Sequence, residues 1–360
     1  MTAPETASGL QQHQFLDVKS RDEAVAIFHA ALRPAPLGVE MVHLDALTGR
    51  VLATDVAAAI DVPPFDRSVV DGFAVVAGDL ASASSAAPAG LALTGEVIAC
   101  GHDPRLAVSP GLASIIATGG PIPRGADAVI MIERTRPSGD GSILVEAPVS
   151  PGQNVSFAGS DMARGQTALH AGTVIGAREI GILAAIGVAE VEAWRRPRVA
   201  ILSTGDELVA PGEPLPPAGI YDSNGAIIAA SVAENGCEPI RLGIVRDDEA
   251  SLRAALAQAF ASCDAILLSG GTSKGAGDLT YQMVDALGAP GIVVHGVALK
   301  PGKPLCLAVC GGKPVVILPG FPTSAMFTFH DIVAPALRAL AGLPVRLSLI
   351  HISEPTRPRL

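Results

Sequence analysis

Acidic, hydroxyl and glycine residues follow short apolar runs at three places in the second half of this sequence. The run "RVAIL" precedes residues 203–207, "AILL" precedes residues 269–273, and "VVIL" precedes residues 319–320. Glycine lets backbone N–H groups approach an anion closely, and a helix or turn start behind it adds partial positive charge. Three such segments at one sheet edge predict a groove for an anionic ligand, although glycines after strands can also simply turn the chain.

Three carboxylates are placed for a related role. Glu207, Asp247 and Asp278 each lie just beyond the carboxyl end of a predicted strand. Acids gathered at such positions are costly unless they meet a cation, and magnesium prefers a few carboxylates together with substrate phosphate oxygens. The alternative for Asp247 and its neighbour Asp248 is that they favour the start of the following helix, and this alternative is the stronger one for Asp248.

The stretch "LLSGGTSKGAGD", residues 267–278, has the composition of a phosphate-binding loop. A Walker A loop places its lysine after the second glycine, whereas here Lys274 precedes Gly275 and Ala276 follows. The spacing therefore disfavours a nucleoside triphosphatase.

The stretch "LKPGKP" holds Lys300 and Lys303 between prolines. Such a rigid turn fixes both ammonium groups, as a phosphate or oxyanion site requires, while a solvated basic turn is the alternative. The chain has only 25 Lys and Arg against 35 Asp and Glu, which favours the functional interpretation of this pair.

The elements that must position these residues differ between the two halves of the chain. From residue 196 onward, apolar strands alternate with helices, which predicts an α/β fold with a mostly parallel sheet, helices on both faces and ligands at the carboxyl ends of the strands. Residues 61–148 have short apolar runs separated by Gly, Pro, Ser and Asp, which predicts a β-rich domain. The first ordered element predicted is a helix that begins near Val18 and is capped by Ser20.

Composition limits the classes of function. A chain of 360 residues with 49% hydrophobic residues is long enough for several globular domains. A net charge of -10 and 3% aromatic residues disfavour a nucleic-acid partner. The five cysteines form no C-x-x-C pair, which predicts free thiols in a reducing cytoplasm. We see neither a signal peptide nor a run long enough to span a membrane.

Several motifs occur together in one order along residues 16–343, and together they resemble the molybdopterin molybdenumtransferase family, the MoeA-like enzymes. They are "PPFDRSVVDGFA", "TGGPIPRGADAV", "GSDMARG", "STGDELVAPGEPLPPAGIYDSN", "VRDD", "SGGTSKGAGD", "LKPGKP" and "LPGFPTSA". The resemblance implies insertion of molybdate into adenylylated molybdopterin with release of AMP, in the presence of magnesium or a similar divalent cation. It also implies a homodimer, and a molybdopterin adenylyltransferase as a further partner.

The resemblance implies a division of the chain into domains. The segments 16–60 and 149–195 would form a linking domain, 61–148 the inserted β-rich domain, and 196–343 the molybdopterin-binding α/β domain. Residues 344–360 depart from the family, and they have neither the strand alternation nor the length of its C-terminal β-barrel. The active site would lie between the α/β domain of one subunit and the inserted domain of the other.

Roles for individual residues follow from the matching motifs. The family implies that Lys300 and Lys303 hold phosphate or molybdate oxygens. The residues expected to carry the reaction are Asp71, Thr118, Glu207, Asp247, Asp278, Lys300 and Lys303, with Glu207, Asp247 and Asp278 also as metal ligands. Those expected to bind the pterin substrate are Thr204, Gly205, Asp206, Ser269, Gly270, Gly271, Thr272, Ser273, Pro319 and Gly320.

Four positions differ from the family pattern, and they keep two alternatives open. Arg67 and Phe321 stand where the family often has Asn, Ala276 stands where it often has Glu, and His295 stands near a usual basic position. These departures would suit a non-catalytic molybdopterin-binding or scaffolding protein. An adenylyltransferase-like enzyme is the other alternative, but enzymes of that kind resemble only the second half of the chain.

Overall fold

The computed structural model describes residues 18–270 and 276–345, and of residues 276–278 it describes the backbone alone. Within these ranges the helices are α1 (Arg21–Leu32), α2 (Ala177–Ala185), α3 (Ser223–Glu234), α4 (Glu249–Ser262), α5 (Ala276–Asp285), α6 (Pro322–Thr328) and α7 (Ala334–Leu340), with a π-helical turn (Phe329–Val333) between the last two. Among the residues described, no helix combines the length and apolar character needed to cross a bilayer.

The strands of the same ranges fall into two six-stranded sheets and several two-stranded ones. They are β1 (Val39–His43), β2 (Val56–Ala57), β3 (Arg67–Ser68), β4 (Gly72–Val75), β5 (Ala89–Ile98), β6 (Leu112–Ile116), β7 (Ala128–Met131), β8 (Thr135–Pro137), β9 (Ser142–Val145), β10 (Val155–Ser156), β11 (Thr167–Leu169), β12 (Glu190–Trp194), β13 (Arg198–Thr204), β14 (Leu208–Val209), β15 (Ile220–Tyr221), β16 (Glu238–Val245), β17 (Ala265–Gly270), β18 (Pro290–His295), β19 (Cys306–Cys310) and β20 (Lys313–Leu318).

The second half of the chain builds a mixed sheet with the strand order β16-β13-β17-β20-β19-β18. The first four strands are parallel, and β19 is antiparallel to both of its neighbours. Because β18 pairs antiparallel with β19, it runs in the same direction as the parallel strands. The carboxyl ends of five strands therefore lie at one edge of the sheet, where ligands of open α/β sheets bind.

Helices cover both faces of this sheet, because its central strands bury side chains on both sides. In β13, Val199 and Ile201 belong to one buried cluster, whereas Ala200 and Leu202 belong to another. Helices α1, α3, α6 and α7 contribute to the first cluster, and α4 and α5 contribute to the second. Continuous apolar strands of this kind are typical of sheets that are buried on both faces.

The first helix packs on the α/β sheet and not with the linking domain to which the sequence assigns it. Ser20 caps α1 as predicted, since its side chain accepts a hydrogen bond from the Glu23 N–H. However, Ala24 and Phe28 are fully buried in the core of the α/β sheet, whereas the sequence analysis placed residues 16–60 in the linking domain. The apolar stripe of α1 packs on β18 and β19, so this helix is part of the α/β unit.

The other six-stranded sheet lies within residues 72–145 and has the order β7-β4-β6-β5-β9-β8. All of its pairings are antiparallel except the one between β5 and β6. Its core includes Phe73, Val75 and Leu91. A separate cluster around Leu52 and Leu183 joins chain segments from before and after this sheet, so the β-rich unit is an insertion between packed segments.

Two helices at the carboxyl edge are capped by aspartates. Asp222 caps α3 by accepting the Gly225 N–H at 2.8 Å. Asp248 caps α4 and accepts the Ser251 N–H at 2.9 Å. Of the neighbouring acids Asp247 and Asp248, Asp248 is therefore the one that caps the helix.

Candidate functional site

Three strand ends converge on one pocket at the carboxyl edge of the α/β sheet. Thr204 at the end of β13, Ser269 and Gly270 at the end of β17, and Gly320 after β20 all line a cavity of about 90 Å³. Parallel pairing brings them together, because β13 and β17 are neighbours and β20 pairs with β17. The convergence predicted from the strand pattern is thus present for these residues.

The floor of the pocket depends on a close approach between two strand ends. Gly270 has φ +97°, and a Cβ atom at this position would lie 2.3 Å from the backbone oxygen of Thr204. An L side chain is strained at such a φ, and here it would also collide with backbone. The position accepts only glycine without local rearrangement.

The start of α3 supplies two pocket residues, Asp222 and Asn224, that are not among the predicted site residues. Asp222 accepts hydrogen bonds from the Ser203 hydroxyl at 2.9 Å and the Gly225 N–H at 2.8 Å. The Asn224 amide donates to the Ser269 hydroxyl and to the Gly320 carbonyl, both at 2.7 Å. The signal in the sequence was the polar run "YDSN" at the start of a predicted helix.

Asn224 therefore connects three of the elements that form the pocket. Its two hydrogen bonds join α3 to the segments that follow β17 and β20, and these segments are far apart in the sequence. The side chain is 9% exposed and lines the cavity. Asn224 fixes the relative positions of the strand ends as well as contributing to the pocket wall.

Carboxylates gather beside this pocket. Glu207 lines it, and the Asp247 N–H lies 3.5 Å from a carboxylate oxygen of Asp206. Burial, followed by the negative charges of Asp206 and Glu207, raises the pKa of Asp247 above its usual range. Like charges held this close favour a bound cation.

Oxygen donors of this kind fit magnesium by their chemistry. Glu207 and Asp247 would be two of its ligands, while the side chain of Asp278 lies outside the described residues. Among the residues that the structure does describe, no group of three His, Cys, Asp or Glu is close enough together to hold a metal ion. The complete predicted ligand set thus stays a prediction.

Asp71 and Thr118, two further predicted site residues, form a hydrogen-bonded pair in the β-rich unit. Both the backbone N–H and the hydroxyl of Thr118 donate to the same oxygen of Asp71, at 2.7 and 3.0 Å. The hydrogen bond from the Thr118 backbone, followed by that from its hydroxyl, lowers the pKa of Asp71. The two residues are 47 positions apart in sequence and are brought together by tertiary structure. Neither of them lines the pocket of the α/β unit.

Lys300 and Lys303 lie in an exposed turn between β18 and β19. Within this turn Gly302 is close to Thr328, since a Cβ atom at Gly302 would lie 2.5 Å from the Thr328 Cγ2 atom. The turn follows the carboxyl end of β18 and so lies at the same sheet edge as the pocket, although neither lysine lines it.

The remaining predicted residues divide into two groups. Gly205, Asp206 and Pro319 follow pocket strands without lining the cavity themselves. Gly271, Thr272 and Ser273 lie outside the described residues, so their predicted role is not addressed by the structure.

Of the positions that depart from the family pattern, three have described surroundings, and His295 packs against Tyr281 with ring centroids 4.2 Å apart. Phe321 is 79% exposed and lies between the pocket residues Gly320 and Pro322. Arg67 approaches Asp161 at 4.0 Å in the first half of the chain.

The chain matches two protein families along most of its length. Residues 19–187 match the family described as "MoeA N-terminal region (domain I and II)", and residues 200–339 match "Probable molybdopterin binding domain". Between them these matches cover both the β-rich unit and the α/β unit.

Two curated relatives are both named as molybdopterin molybdenumtransferases. The chain is 39% identical over 327 residues to the molybdopterin molybdenumtransferase of Nostoc sp.. The alignment covers 90% of this chain and 74% of the relative. The chain is 36% identical over 335 residues to molybdopterin molybdenumtransferase 2 of Mycobacterium tuberculosis, over 91% of this chain and 80% of the relative.

A solved structure is also similar to this chain. The molybdopterin biosynthesis MoeA protein from Pyrococcus horikoshii superimposes with a TM-score of 0.79 at 38% identity. The superposition covers 91% of this chain and 81% of the other.

Proposed function

This chain belongs to the molybdopterin molybdenumtransferase family, and from that premise we propose how its residues carry out the reaction. It is a transferase of molybdenum cofactor biosynthesis that inserts molybdenum into molybdopterin. In our proposal the substrates are adenylylated molybdopterin and molybdate, and the products are the molybdenum cofactor and AMP.

One observation carries the assignment of the site: the ends of β13, β17 and β20 meet at a pocket beside Glu207 and Asp247. The reaction must hold a pterin, a phosphate linkage and a molybdate together, and positioning of this kind can account for much of a rate enhancement. The pocket and the strand-end segments would hold the substrate. Lys300 and Lys303, at the same edge, would hold phosphate or molybdate oxygens.

Glu207, Asp247 and Asp278 would hold a divalent cation, for which magnesium is our first choice. A bound cation neutralises negative charge on phosphate oxygens and orients them. The protein residues contribute the oxygen ligands, and the crowding of negative charge around Asp247 supports a cation at this place.

The pair Asp71–Thr118 would act from the partner subunit of a homodimer. This proposal is supported by the hydrogen bonds that order the pair and by its absence from the pocket of its own chain. A molybdopterin adenylyltransferase would supply the substrate, and the reducing cytoplasm is the compartment that we propose.

The alternative functions are not favoured. An adenylyltransferase-like enzyme needs only the second half of the chain, whereas the relatives match both halves. The same relatives are transferases by name, which disfavours a protein that only binds or only serves as a scaffold.

The direct test is AMP release by the purified chain given adenylylated molybdopterin, molybdate and magnesium. We expect release that requires molybdate, is abolished by a chelator and is lost in Asp278→Ala although that variant still binds molybdopterin. Wild-type protein that binds the substrate but releases no AMP at any molybdate concentration would support binding without turnover and contradict the proposal.

A further inference from the structure

The carboxylate of Glu96 in β5 holds the loop that follows this strand, residues 99–106, which we call the clamped loop. One oxygen of Glu96 accepts hydrogen bonds from the Arg105 N–H and from the His102 Nε2 atom, both at 2.9 Å. The other oxygen accepts the Leu106 N–H, also at 2.9 Å. These hydrogen bonds, of which the one from the Arg105 N–H has the largest effect, lower the pKa of Glu96 to about 2. Its side chain is 8% exposed, and it fixes the far end of the loop to the strand where the loop begins.

Cys100, in the clamped loop, contacts the backbone of the segment that contains Thr118. The Cys100 S–H donates a hydrogen bond to the Thr118 carbonyl oxygen, with the sulfur 3.0 Å from that oxygen. The same sulfur lies against Gly119, since a Cβ atom at Gly119 would be 2.8 Å from it. Next to this contact, the Ala117 N–H donates to the Ile98 carbonyl at 2.9 Å. Residues at the end of β5 and at the start of the clamped loop therefore hold the backbone on both sides of Thr118.

Thr118 carries this contact to the Asp71 carboxylate. Its backbone N–H and its hydroxyl both donate to one oxygen of Asp71, at 2.7 and 3.0 Å. The backbone of Thr118 is thus held by Cys100 on its carbonyl side and meets Asp71 on its N–H side. Because the hydroxyl is attached to the same backbone, a shift of the loop would displace both donors relative to Asp71. A displacement of about 1 Å at a reacting centre can cost roughly 100-fold in rate.

The exposure of Cys100 distinguishes its contact with Thr118 from ordinary core packing. Cys100 is exposed, whereas the other four cysteines of the chain are buried, namely Cys237, Cys263, Cys306 and Cys310. Burial of apolar surface accounts for most of what a core side chain contributes to stability, and an exposed thiol buries little of it. Loss of the Cys100 thiol should therefore affect the geometry of Thr118 more than the stability of the β-rich unit.

We propose that the clamped loop positions Thr118 for the reaction, with Glu96 and Cys100 as positioning residues. Glu96 fixes the loop, Cys100 fixes the carbonyl of Thr118, and Thr118 then orders the Asp71 carboxylate. Neither positioning residue is among the predicted site residues, and neither needs to touch the substrate. This inference rests on the proposed function, because it adds two residues to the part of the site that the β-rich unit contributes.

The first test measures AMP release by Cys100→Ala and Cys100→Ser. We expect Cys100→Ala to lower kcat about 3- to 10-fold, the effect of one lost hydrogen bond, with the KM for adenylylated molybdopterin unchanged. Cys100→Ser keeps a donor of similar size and should retain most of the wild-type kcat. Ser84→Ala is the matched control, because the exposed Ser84 hydroxyl also makes a hydrogen bond with backbone in the same unit, accepting the Ala87 N–H at 3.1 Å. The control should change neither constant, and all three variants should keep a Tm near that of the wild type.

Glu96→Gln tests the clamp itself. The amide keeps the size of the side chain but offers one acceptor oxygen where three donors meet, so the loop should be held less firmly. We expect kcat to fall, as it does in Cys100→Ala. The double variant should lose less than the product of the two single losses, because both changes act through the same contact with Thr118.

The pKa of Asp71 provides a measurement that requires no turnover. It can be followed by 13C NMR of labelled aspartate carboxyl groups, with Asp71→Asn identifying the signal. The hydrogen bonds from Thr118 lower this pKa, so a less firmly held Thr118 should let it rise toward its ordinary value. We expect a rise equivalent to about a twofold to fivefold change in the protonation equilibrium in Cys100→Ala and Glu96→Gln. Cys100→Ser and Ser84→Ala should leave the pKa of Asp71 unchanged.

Several results would overturn the inference: a wild-type kcat in Cys100→Ala, an unchanged pKa of Asp71 in that variant, loss of activity in Cys100→Ser, or an equal loss in Ser84→Ala. If the wild-type chain releases AMP but the variants behave in one of these ways, the positioning role is wrong and the reaction stands. If the wild-type chain releases no AMP although the pKa of Asp71 responds as expected, the loop holds Thr118 and the proposed reaction is wrong.

Discussion

Asp247 is held in an unfavourable electrostatic setting. Burial and the carboxylates of Asp206 and Glu207 raise its pKa, so its ionised form is disfavoured in the folded protein. By contrast, Asp71 in the β-rich unit accepts two hydrogen bonds from Thr118, and its pKa is lowered. The first environment suits an acid that meets a cation, and the second keeps an acid ionised without one.

We predict that Asp247→Asn makes the chain more stable but inactive. At neutral pH the variant lacks a charge that is repelled by two carboxylates, so the Tm measured without divalent cations should rise by roughly 1–2 °C, the size expected for partly screened charges. AMP release should be lost.

The pH dependence provides the control for this prediction. A raised folded pKa means that the penalty exists above that pKa and disappears as the pH falls and Asp247 is protonated. The difference in Tm between variant and wild type should therefore shrink in acid. A wild-type chain that is more stable than Asp247→Asn at pH 7 in a chelator would contradict the argument.

At the scale of elements, the site depends on how closely neighbouring strands approach at their carboxyl ends. The pairing of β13 with β17 places the Thr204 backbone oxygen against Gly270, and a Cβ atom at Gly320 would lie 3.9 Å from the Gly270 Cα atom. A side chain on Gly270 would collide with the neighbouring strand end, whereas a Cβ atom on Gly320 would make only ordinary van der Waals contact. Gly270 is therefore the glycine that the packing of these strand ends needs.

We predict that Gly270→Ala destabilises the chain by about 2–4 kcal/mol, because it combines a positive φ with a collision against backbone. Gly243→Ala in β16 is a matched control: Gly243 also has a positive φ, +86°, but a Cβ atom there would meet nothing within 4 Å. Chemical denaturation should show a loss of only about 1 kcal/mol for this control, from the φ strain alone. Equal losses in the two variants would exclude the proposed collision.

At the scale of the molecule, the predicted site residues fall into two groups on separate sheets. The pair Asp71–Thr118 belongs to the β-rich unit, while the pocket belongs to the α/β unit. The relatives match both units in one chain. A closed homodimer provides a simple way to join the pair from one subunit with the pocket of the other.

We predict that two inactive variants restore each other's activity when mixed. Asp71→Asn removes the first site and Asp247→Asn the second, so a mixed dimer contains one active site with both native residues. After random exchange of subunits, AMP release should reach roughly a quarter of the wild-type rate, because about half of the dimers are mixed and each has one intact site.

The readout is AMP release before and after subunits are exchanged by mild denaturation and refolding. The Asp71→Asn variant alone, taken through the same denaturation and refolding, should stay inactive. If no activity returns although mixed dimers are isolated through different affinity tags on the two variants, the two sites work within one chain and the intersubunit proposal fails.

Much of the site could be predicted from sequence because its signals are local. Apolar strands followed by glycine, hydroxyl and acidic residues indicated Thr204, Ser269, Gly270 and Gly320, and all four line the pocket. Parallel strands of one sheet end at the same edge, so residues that follow them must lie close together. The local pattern also indicated the helix cap at Ser20.

The tertiary structure alone decided the features that depend on distant partners. The orientation of Asn224 depends on a carbonyl 96 residues away, and the placement of α1 depends on strands β18 and β19, near the other end of the chain. The sequence determined which elements form and which residues follow them, because period, capping and turn preferences act over a few residues. Which side chains meet, and which atoms are left for a ligand, is set by packing between elements, because long-range contacts are determined only when the whole core is assembled.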